Sequence, residues 1–373
     1  MFHVKLTSLE VTGLRNLHPL SLSSLAGVNI FYGENGAGKT SVLEAIHLLG
    51  LARSFRSTQL TPVIQHDKNS CTVFGRLNGS NYPAGLTLGV TRQRGGGVEI
   101  RVAGKTEKGA IHLAEVLPLQ LINATSYLLL EGGPKQRRQF MDWGMFHVEQ
   151  SFYHVWRKVQ RCIKQRNAIL RRGGMPEQLA PWDQELLASA ALLDAARRDY
   201  TAKLEPVFLN ILEQLTDLKE VRLTYRRGWK TGDYQSVLRA SLDRDKRRGL
   251  THYGPHRADL EITAEGHLAA QVLSRGQQKL LVCALRLAQG QLLSEQTQKG
   301  LVILVDDLPA EVDSQHQRRL CALLDQLGMQ LFLTCIEASE LEQFSWPVLG
   351  EPQLFHVKQG AIQTIARSAE LPV

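Results

Sequence analysis

Eight residues, Gly33-Glu34-Asn35-Gly36-Ala37-Gly38-Lys39-Thr40, match the pattern G-x-x-x-x-G-K-[ST]. Their flanks restrict the fold. Val28 to Tyr32 reads as an apolar strand and Lys39 to Leu51 as a helix, so the chain passes from strand through a glycine-rich loop into a helix. That order belongs to α/β proteins, and it gathers backbone N–H groups at a helix N-terminus, where they wrap phosphate oxygens. In such a loop all eight residues are candidate nucleotide contacts. Lys39 reaches the β- and γ-oxygens, and the Thr40 hydroxyl joins a Mg²⁺ shell. ATP with Mg²⁺ is the expected ligand.

A nucleotide site also needs an acid to hold the metal. Leu301 to Val305 is a run of five apolar residues that ends in Asp306-Asp307, as expected of a buried central strand carrying two carboxylates at its end. Asp306 is expected to orient the metal, and Asp307 to act as the base that orients attacking water. Upstream, Leu273-Ser274-Arg275-Gly276-Gln277-Gln278-Lys279 opens a helical stretch running from Gly276 to Leu293.

The 373 residues are 43% hydrophobic and 21% charged, enough apolar content for an ordinary core and too much for a disordered chain. Length alone suggests about two domains. The longest apolar stretches fall short of the ~20 residues of a membrane helix, and the N-terminus alternates like a strand and lacks a signal peptide's apolar region, so a cytoplasmic protein is expected. Five scattered cysteines form no C-x-x-C and read as reduced, buried thiols.

The texture changes along the chain. Short strands (Val73 to Leu77, Leu86 to Val90, Val98 to Val102) dominate up to about residue 130. Helical spacing follows at Phe152 to Ile163, Trp182 to Tyr200 and Glu205 to Leu218. Strands return at Leu260 to Thr263, Leu301 to Val305 and Leu331 to Thr334. The expected fold is α/β: a P-loop domain with a mixed sheet, assembled from residues 1–133 and 251–373 as two halves, with an inserted compact helical lobe of a few short helices at 134–250.

The chain carries 44 Lys+Arg against 36 Asp+Glu, a net charge of +8. Residues 131–250 hold 23 of those bases and 15 of the acids, so the whole surplus sits in the insertion. The bases cluster at Lys135/Arg137/Arg138, Arg157/Lys158/Arg161/Lys164/Arg166, Arg171/Arg172, Arg226/Arg227/Lys230 and Arg244/Lys246/Arg247/Arg248. Arg157, Arg161 and Lys164 recur at helical spacing, as a stripe that tracks phosphates would. Candidate DNA contacts are therefore Arg137, Arg138, Arg157, Arg161, Lys164, Arg247 and Arg248, with backbone contact expected in place of base readout.

P-loop, long insertion, an L-S-x-G-Q-like signature and an Asp-Asp strand, in this order, resemble the ABC/SMC-type head ATPases. Within that group the chain is similar to the bacterial recombination mediators, through Leu14-Arg15-Asn16-Leu17, Gly132-Gly133-Pro134-Lys135-Gln136-Arg137-Arg138, Lys164-Gln165-Arg166-Asn167, Gly254-Pro255-His256-Arg257 and Asp306-Asp307-Leu308-Pro309-Ala310-Glu311-Val312-Asp313. The resemblance implies that Ser274, Gly276 and Gln277 of one copy cap the γ-phosphate held by another copy's P-loop, so that ATP joins two heads. It also implies a D-loop at Asp313, an adenine-side base at Arg15, a metal-side Q-loop residue at Gln120, and action on duplex or gapped DNA with RecR and RecO to load RecA.

The chain departs from the pattern in three places. Arg275 replaces the first signature glycine, Thr334-Cys335-Ile336 stands where ABC ATPases carry a switch histidine, and Asp307 replaces the usual glutamate; the last two point to slow hydrolysis. His252 and His256 have the i, i+4 spacing of a zinc helix, but Gly254-Pro255 forbids that helix. Arg257 and Asp259 read instead as an ion pair. An ABC transporter subunit and a non-hydrolysing clamp are the rival readings; the basic insertion argues against the first.

Overall fold

The computed structural model describes residues 4–57, 59, 62–230, 232–307, 313–342 and 344–365. Residues 308–312 of the Asp-Asp phrase and 1–3 of the expected first strand lie outside them.

In chain order, β1 (Lys5–Thr12), β2 (Leu20–Ser23) and β3 (Val28–Tyr32) lead into α1 (Lys39–Leu51). β4 (Ser70–Gly79), β5 (Tyr82–Gln93), β6 (Val98–Val102), β7 (Lys105–Glu107), α2 (Ile111–Val116) and β8 (Leu119–Ile122) follow. Then come α3 (Leu128–Glu131), α4 (Pro134–Val148), α5 (Phe152–Arg171), α6 (Pro176–Leu215), β9 (Arg222–Arg226), α7 (Tyr234–Arg248), β10 (Asp259–Ala264), β11 (His267–Leu268), α8 (Ala269–Val272) and α9 (Arg275–Thr297). β12 (Val302–Val305), α10 (Ser314–Gln326), β13 (Gln330–Cys335), α11 (Ser339–Glu342), β14 (Gln353–Lys358) and β15 (Ala361–Ile365) complete the chain.

These elements form two compact units, Met1–Ser126 with Gln298–Val373, and Tyr127–Thr297. The first has two six-stranded sheets. One, β2-β1-β4-β5-β6-β7, is antiparallel; the other, β15-β14-β3-β13-β12-β8, is parallel except for its β15 edge. Parallel strands covered on both faces need unbroken apolar sequence, and every residue of β12 and β13 is buried. α1 packs on β4 and β5 of one sheet and on β13 of the other. That explains why it is buried on all sides, with every residue from Val42 to Gly50, Glu44 and His47 included, out of solvent.

The second unit packs α5, α4 and α9 against α6 and adds the small antiparallel sheet β11-β10-β9. It is wider than the expected 134–250 insertion, because β10 pairs with β9 and α9 packs on α6. The expectation of a few short helices is corrected by α6. The two stretches read as separate helices form one helix of 40 residues, ~60 Å long at ~1.5 Å per residue, with Pro181 and Pro206 inside it. An interior proline costs about 3 kcal/mol. Here Tyr200, Leu204, Phe208, Ile211 and Leu215 continue one buried stripe across Pro206 and offset that cost.

Candidate functional site

The P-loop leaves the C-terminal end of β3, where ligands bind in parallel α/β sheets. Gly33 has φ 145°, and a Cβ there would lie 2.2 Å from the Val357 carbonyl oxygen, so no side chain fits. The loop is tied to late parts of the chain: Gly33 N–H donates to Ile336 O (3.0 Å) and Gly360 N–H to Ala37 O (2.8 Å). Asn16 Nδ2 donates to Gly36 O at 3.1 Å. Lys39 folds over its own loop, donating from Nζ to Gly33 O (2.6 Å) and Glu34 O (3.1 Å). Carbonyl acceptors of this kind are readily exchanged for phosphate oxygens, which bind an ammonium more strongly.

β13 lies between β3 and β12, so Thr334 near its end pairs with Phe31, two residues before the P-loop, and meets the Asp-Asp pair with its side chain. Thr40 Oγ1 donates to Asp306 Oδ1 at 2.8 Å, and Thr334 Oγ1 donates to the same oxygen at 3.1 Å. The Asp307 N–H donates in turn to Thr334 Oγ1 at 2.7 Å. Burial raises the Asp306 pKa above the usual carboxylate range and the neighbouring Asp307 charge adds to this, while the two threonine hydroxyls pull it down. A cation at this carboxylate reverses the balance. Thr40 and Asp306 together present hard oxygen donors of the kind Mg²⁺ takes, so these residues fit the metal expected from sequence. Asp307, at φ 51°, lines the adjoining cleft.

That cleft encloses about 690 Å³ over the P-loop, and Arg15, Arg56 and Arg94 add three guanidinium groups to its lining. Arg15 is held flat: its Nε and one terminal nitrogen donate to Glu44 Oε2 (2.8 Å) and Oε1 (2.7 Å), and its other nitrogen to Pro62 O (2.5 Å). Glu44 is fully buried and also accepts from the Ser54 hydroxyl. Sequence reading missed Glu44, Arg56, Arg94 and the part played by Thr334. Only Glu44 carried a signal, a carboxylate inside the apolar run Val42 to Leu49.

Gln120 is corrected. It lies within β8 level with Ile303, buried, whereas Val305 pairs with Ile122 and Asp306 follows. At ~3.3 Å per residue this is about 10 Å short of Asp306 along the sheet.

The signature lies in the second unit, at the start of α9. Ser274 is exposed and closes a capping box: its N–H donates to Gln277 Oε1 (2.9 Å) and Gln277 N–H to Ser274 Oγ (3.3 Å). Gly276 is in the first turn. Arg275, in the glycine position, pairs with Glu131 at 2.5 Å and sits over the Tyr127 ring. Asp313 caps α10, accepting from Gln315 and His316 N–H.

The candidate DNA contacts divide into two groups. Arg157, Arg161 and Lys164 are exposed on one face of α5, with Arg157 over Tyr153 and Arg161 over Trp182. Arg247 and Arg248 are exposed in the last turn of α7. The ends of α5 and α7 are fastened together: Arg166 bonds Asp245 (2.7 Å), Asn167 accepts from Thr251 N–H (2.7 Å), and a Cβ on Gly249 would lie 2.7 Å from Arg171 Cγ. Arg137 and Arg138 turn inward instead. Arg137 makes a bidentate pair with Asp259 at 2.7 and 2.9 Å, and Arg138 donates to Ala258 O at 2.7 Å. Asp259 thus pairs with Arg137 and not with Arg257. Arg166 also leaves the basic cluster, since it is fully buried between Asp183 and Asp245. His252 and His256 hydrogen-bond to Asp245 and to the Thr251 carbonyl. All five cysteines are buried, and no described helix is long and apolar enough to cross a membrane.

Residues 5–355 match the family model of the RecF/RecN/SMC N-terminal domain. The DNA replication and repair protein RecF of Pseudomonas paraeruginosa is 51% identical over 96% of this chain and 97% of its own length, and that of Pseudomonas putida strain W619 is also 51% identical, over 96% and 98%. Among solved structures, the recombination mediator protein RecF-ATP of the RecFOR pathway superposes with a TM-score of 0.86 at 23% identity over 98% of both chains. An Smc head bound to the C-winged helix domain of ScpA gives 0.61 at 12% over 98% of each. A P-loop whose Thr40 meets Asp306, an exposed Ser-x-Gly-Gln helix start and half-identity across almost the whole length agree: the chain belongs to the RecF family of DNA replication and repair proteins, within the SMC/ABC-type ATPases.

Proposed function

We propose that the chain is a cytoplasmic ATP-gated DNA-binding protein of recombinational repair. ATP binds in the cleft over Gly33 to Thr40, with Lys39 on its phosphates and the planar Arg15 guanidinium offered to the base. Thr40 and Asp306 hold Mg²⁺, which neutralises phosphate charge. Ser274, Gly276 and Gln277 of a second copy complete the site as anion donors at a helix N-terminus, so ATP drives a homodimer. The exposed bases of α5 and α7 then bear on the phosphates of duplex or gapped DNA. Asp307 orients water for slow, DNA-dependent hydrolysis that releases the heads. With RecR and RecO, this cycle supports RecA loading at single-strand gaps.

One observation carries the reading: Thr40, in the first turn of α1, and Thr334, in β13, both donate to a single carboxylate oxygen of Asp306, just past the end of β12 and beside the P-loop. Family membership leaves the transporter-subunit alternative without support. Sedimentation with and without ATP, Mg²⁺ and DNA tests the proposal. The expected result is a monomer that dimerises only with ATP and Mg²⁺ and binds DNA as the dimer. DNA binding indifferent to ATP, with hydrolysis intact, overturns it.

A further inference from the structure

A second pocket, wholly inside the unit Tyr127–Thr297, has no part in the function proposed above. About 490 Å³ in volume, it is walled by Tyr225, Arg227, Trp229, Lys230 and Tyr253, and a neighbouring hollow of about 350 Å³ shares Lys230 and Tyr253 and adds Arg244. Both volumes lie in the range of about 300–1,000 Å³ typical of small-ligand sites. Two flat cation–ring platforms line them. The Arg227 guanidinium sits 5.0 Å over the Trp229 ring, which stacks in turn on Tyr234 at 4.7 Å, and Arg244 sits 4.7 Å over Tyr253.

The walls are firmly built. Arg227 is fixed by donating to the carbonyls of Lys230 (3.0 Å) and Gly232 (3.1 Å). Tyr234 OH donates to Tyr253 O at 2.9 Å, and Gly254 N–H to Gly228 O at 3.1 Å. Gly228 has φ 86° and a Cβ there would meet Gly254 O at 2.3 Å, so the two loops touch backbone to backbone.

Charge decides what such a pocket accepts. Arg198 is matched by Asp194 and Arg226 by Glu261. Arg227, Lys230 and Arg244 have no carboxylate partner among the described residues, and neither Trp229 Nε1 nor Arg244 Nε has an acceptor. Three unneutralised cations beside flat π faces select a ligand that is both planar and anionic. We propose that this pocket binds an unpaired nucleotide, with its base laid on the Arg227–Trp229 and Arg244–Tyr253 platforms and its phosphate at Lys230. Stacking of this kind is tolerant of base identity. The nucleotide is either free or the unpaired end of a DNA strand.

The test uses the full chain carrying Lys39→Met, so that the P-loop cleft competes less for the probe. A 5′-phosphorylated thymidine tetranucleotide, labelled at its 3′ end, is titrated by fluorescence anisotropy. Arg244→Gln and Lys230→Gln are each expected to weaken binding at least tenfold with an unchanged thermal unfolding midpoint. An abasic tetramer is expected to bind at least tenfold more weakly than the thymidine one. Displacement of the label by thymidine 5′-phosphate identifies a mononucleotide site; displacement only by unlabelled tetramer identifies a strand end. Either supports the proposal. Equal affinity for the abasic tetramer, affinities within twofold in both variants, or no binding at millimolar protein overturns it.

Discussion

Thr40 and Asp306 are 266 positions apart in the chain, yet their side chains share a hydrogen bond of 2.8 Å. The sequence predicts both as metal-site residues from local patterns, and the fold brings them to the same point. This convergence makes the site testable one group at a time.

Lys39→Met removes the ammonium that now caps Gly33 O and Glu34 O. Hydrogen bonds to charged groups are worth about 1.5–3 kcal/mol, so ATP affinity by calorimetry is expected to fall about tenfold to a hundredfold, with the fold retained. Unchanged affinity refutes a phosphate role for Lys39.

Thr334→Val keeps the shape of the residue but cuts the hydroxyl link between Asp306 and the Asp307 backbone. ATP binding should persist while single-turnover hydrolysis slows about tenfold, the loss of one hydrogen bond to a charged group. Asp307→Asn should be at least as damaging; full turnover in that variant removes its catalytic role.

Replacing Arg157, Arg161, Lys164, Arg247 and Arg248 by Gln should weaken duplex binding and flatten its dependence on salt. Each lost phosphate contact lowers the slope of log K against log salt by about 0.9. Arg137→Gln is the contrasting variant: its bidentate partner Asp259 makes it a stability change, with the salt slope intact.

Arg166→Ala leaves Asp245, fully buried, without its guanidinium. Breaking a buried pair costs about 3–5 kcal/mol, which a urea titration of tryptophan fluorescence should report, because Trp143, Trp156, Trp182 and Trp229 all lie in that unit. A loss below ~1 kcal/mol contradicts a structural role for the pair.

Burial lowers the His256 pKa from 6.5 to about 4. Its Nε2 bonds the Thr251 carbonyl and therefore carries the ring proton; Nδ1 has no partner to receive a second one. Folded His256 is neutral where unfolded His256 is charged, so the unfolded state binds more protons between pH 6.5 and 4. Stability is full above about pH 6.5 and is lost as pH falls towards 4, by roughly 3 kcal/mol in total. A pH series of urea midpoints should flatten in His256→Gln.

How much of this was legible depends on how local each signal was. The P-loop, α1 and β3 were readable because strand, glycines and helix are contiguous, and Asp306 because β12 is a continuous apolar run. α6 was misread as two helices parted between Tyr200 and Glu205, since its continuity comes from a buried stripe that only packing reveals. Gln120 was misplaced because sequence does not show how far along β8 a residue lies relative to β12. Arg137 and Arg166 looked like surface bases because their acids, Asp259 and Asp245, come from distant parts of the chain.

The ties that hold the P-loop also set an order of assembly. Gly33 N–H needs Ile336 O and Ala37 O needs Gly360 N–H, so the loop waits for partners made more than three hundred residues after it. Domains usually fold as they emerge from the ribosome, N-terminal parts first. This nucleotide site cannot do so. A nascent chain stalled before residue 336 carries the full motif and neither of these two ties.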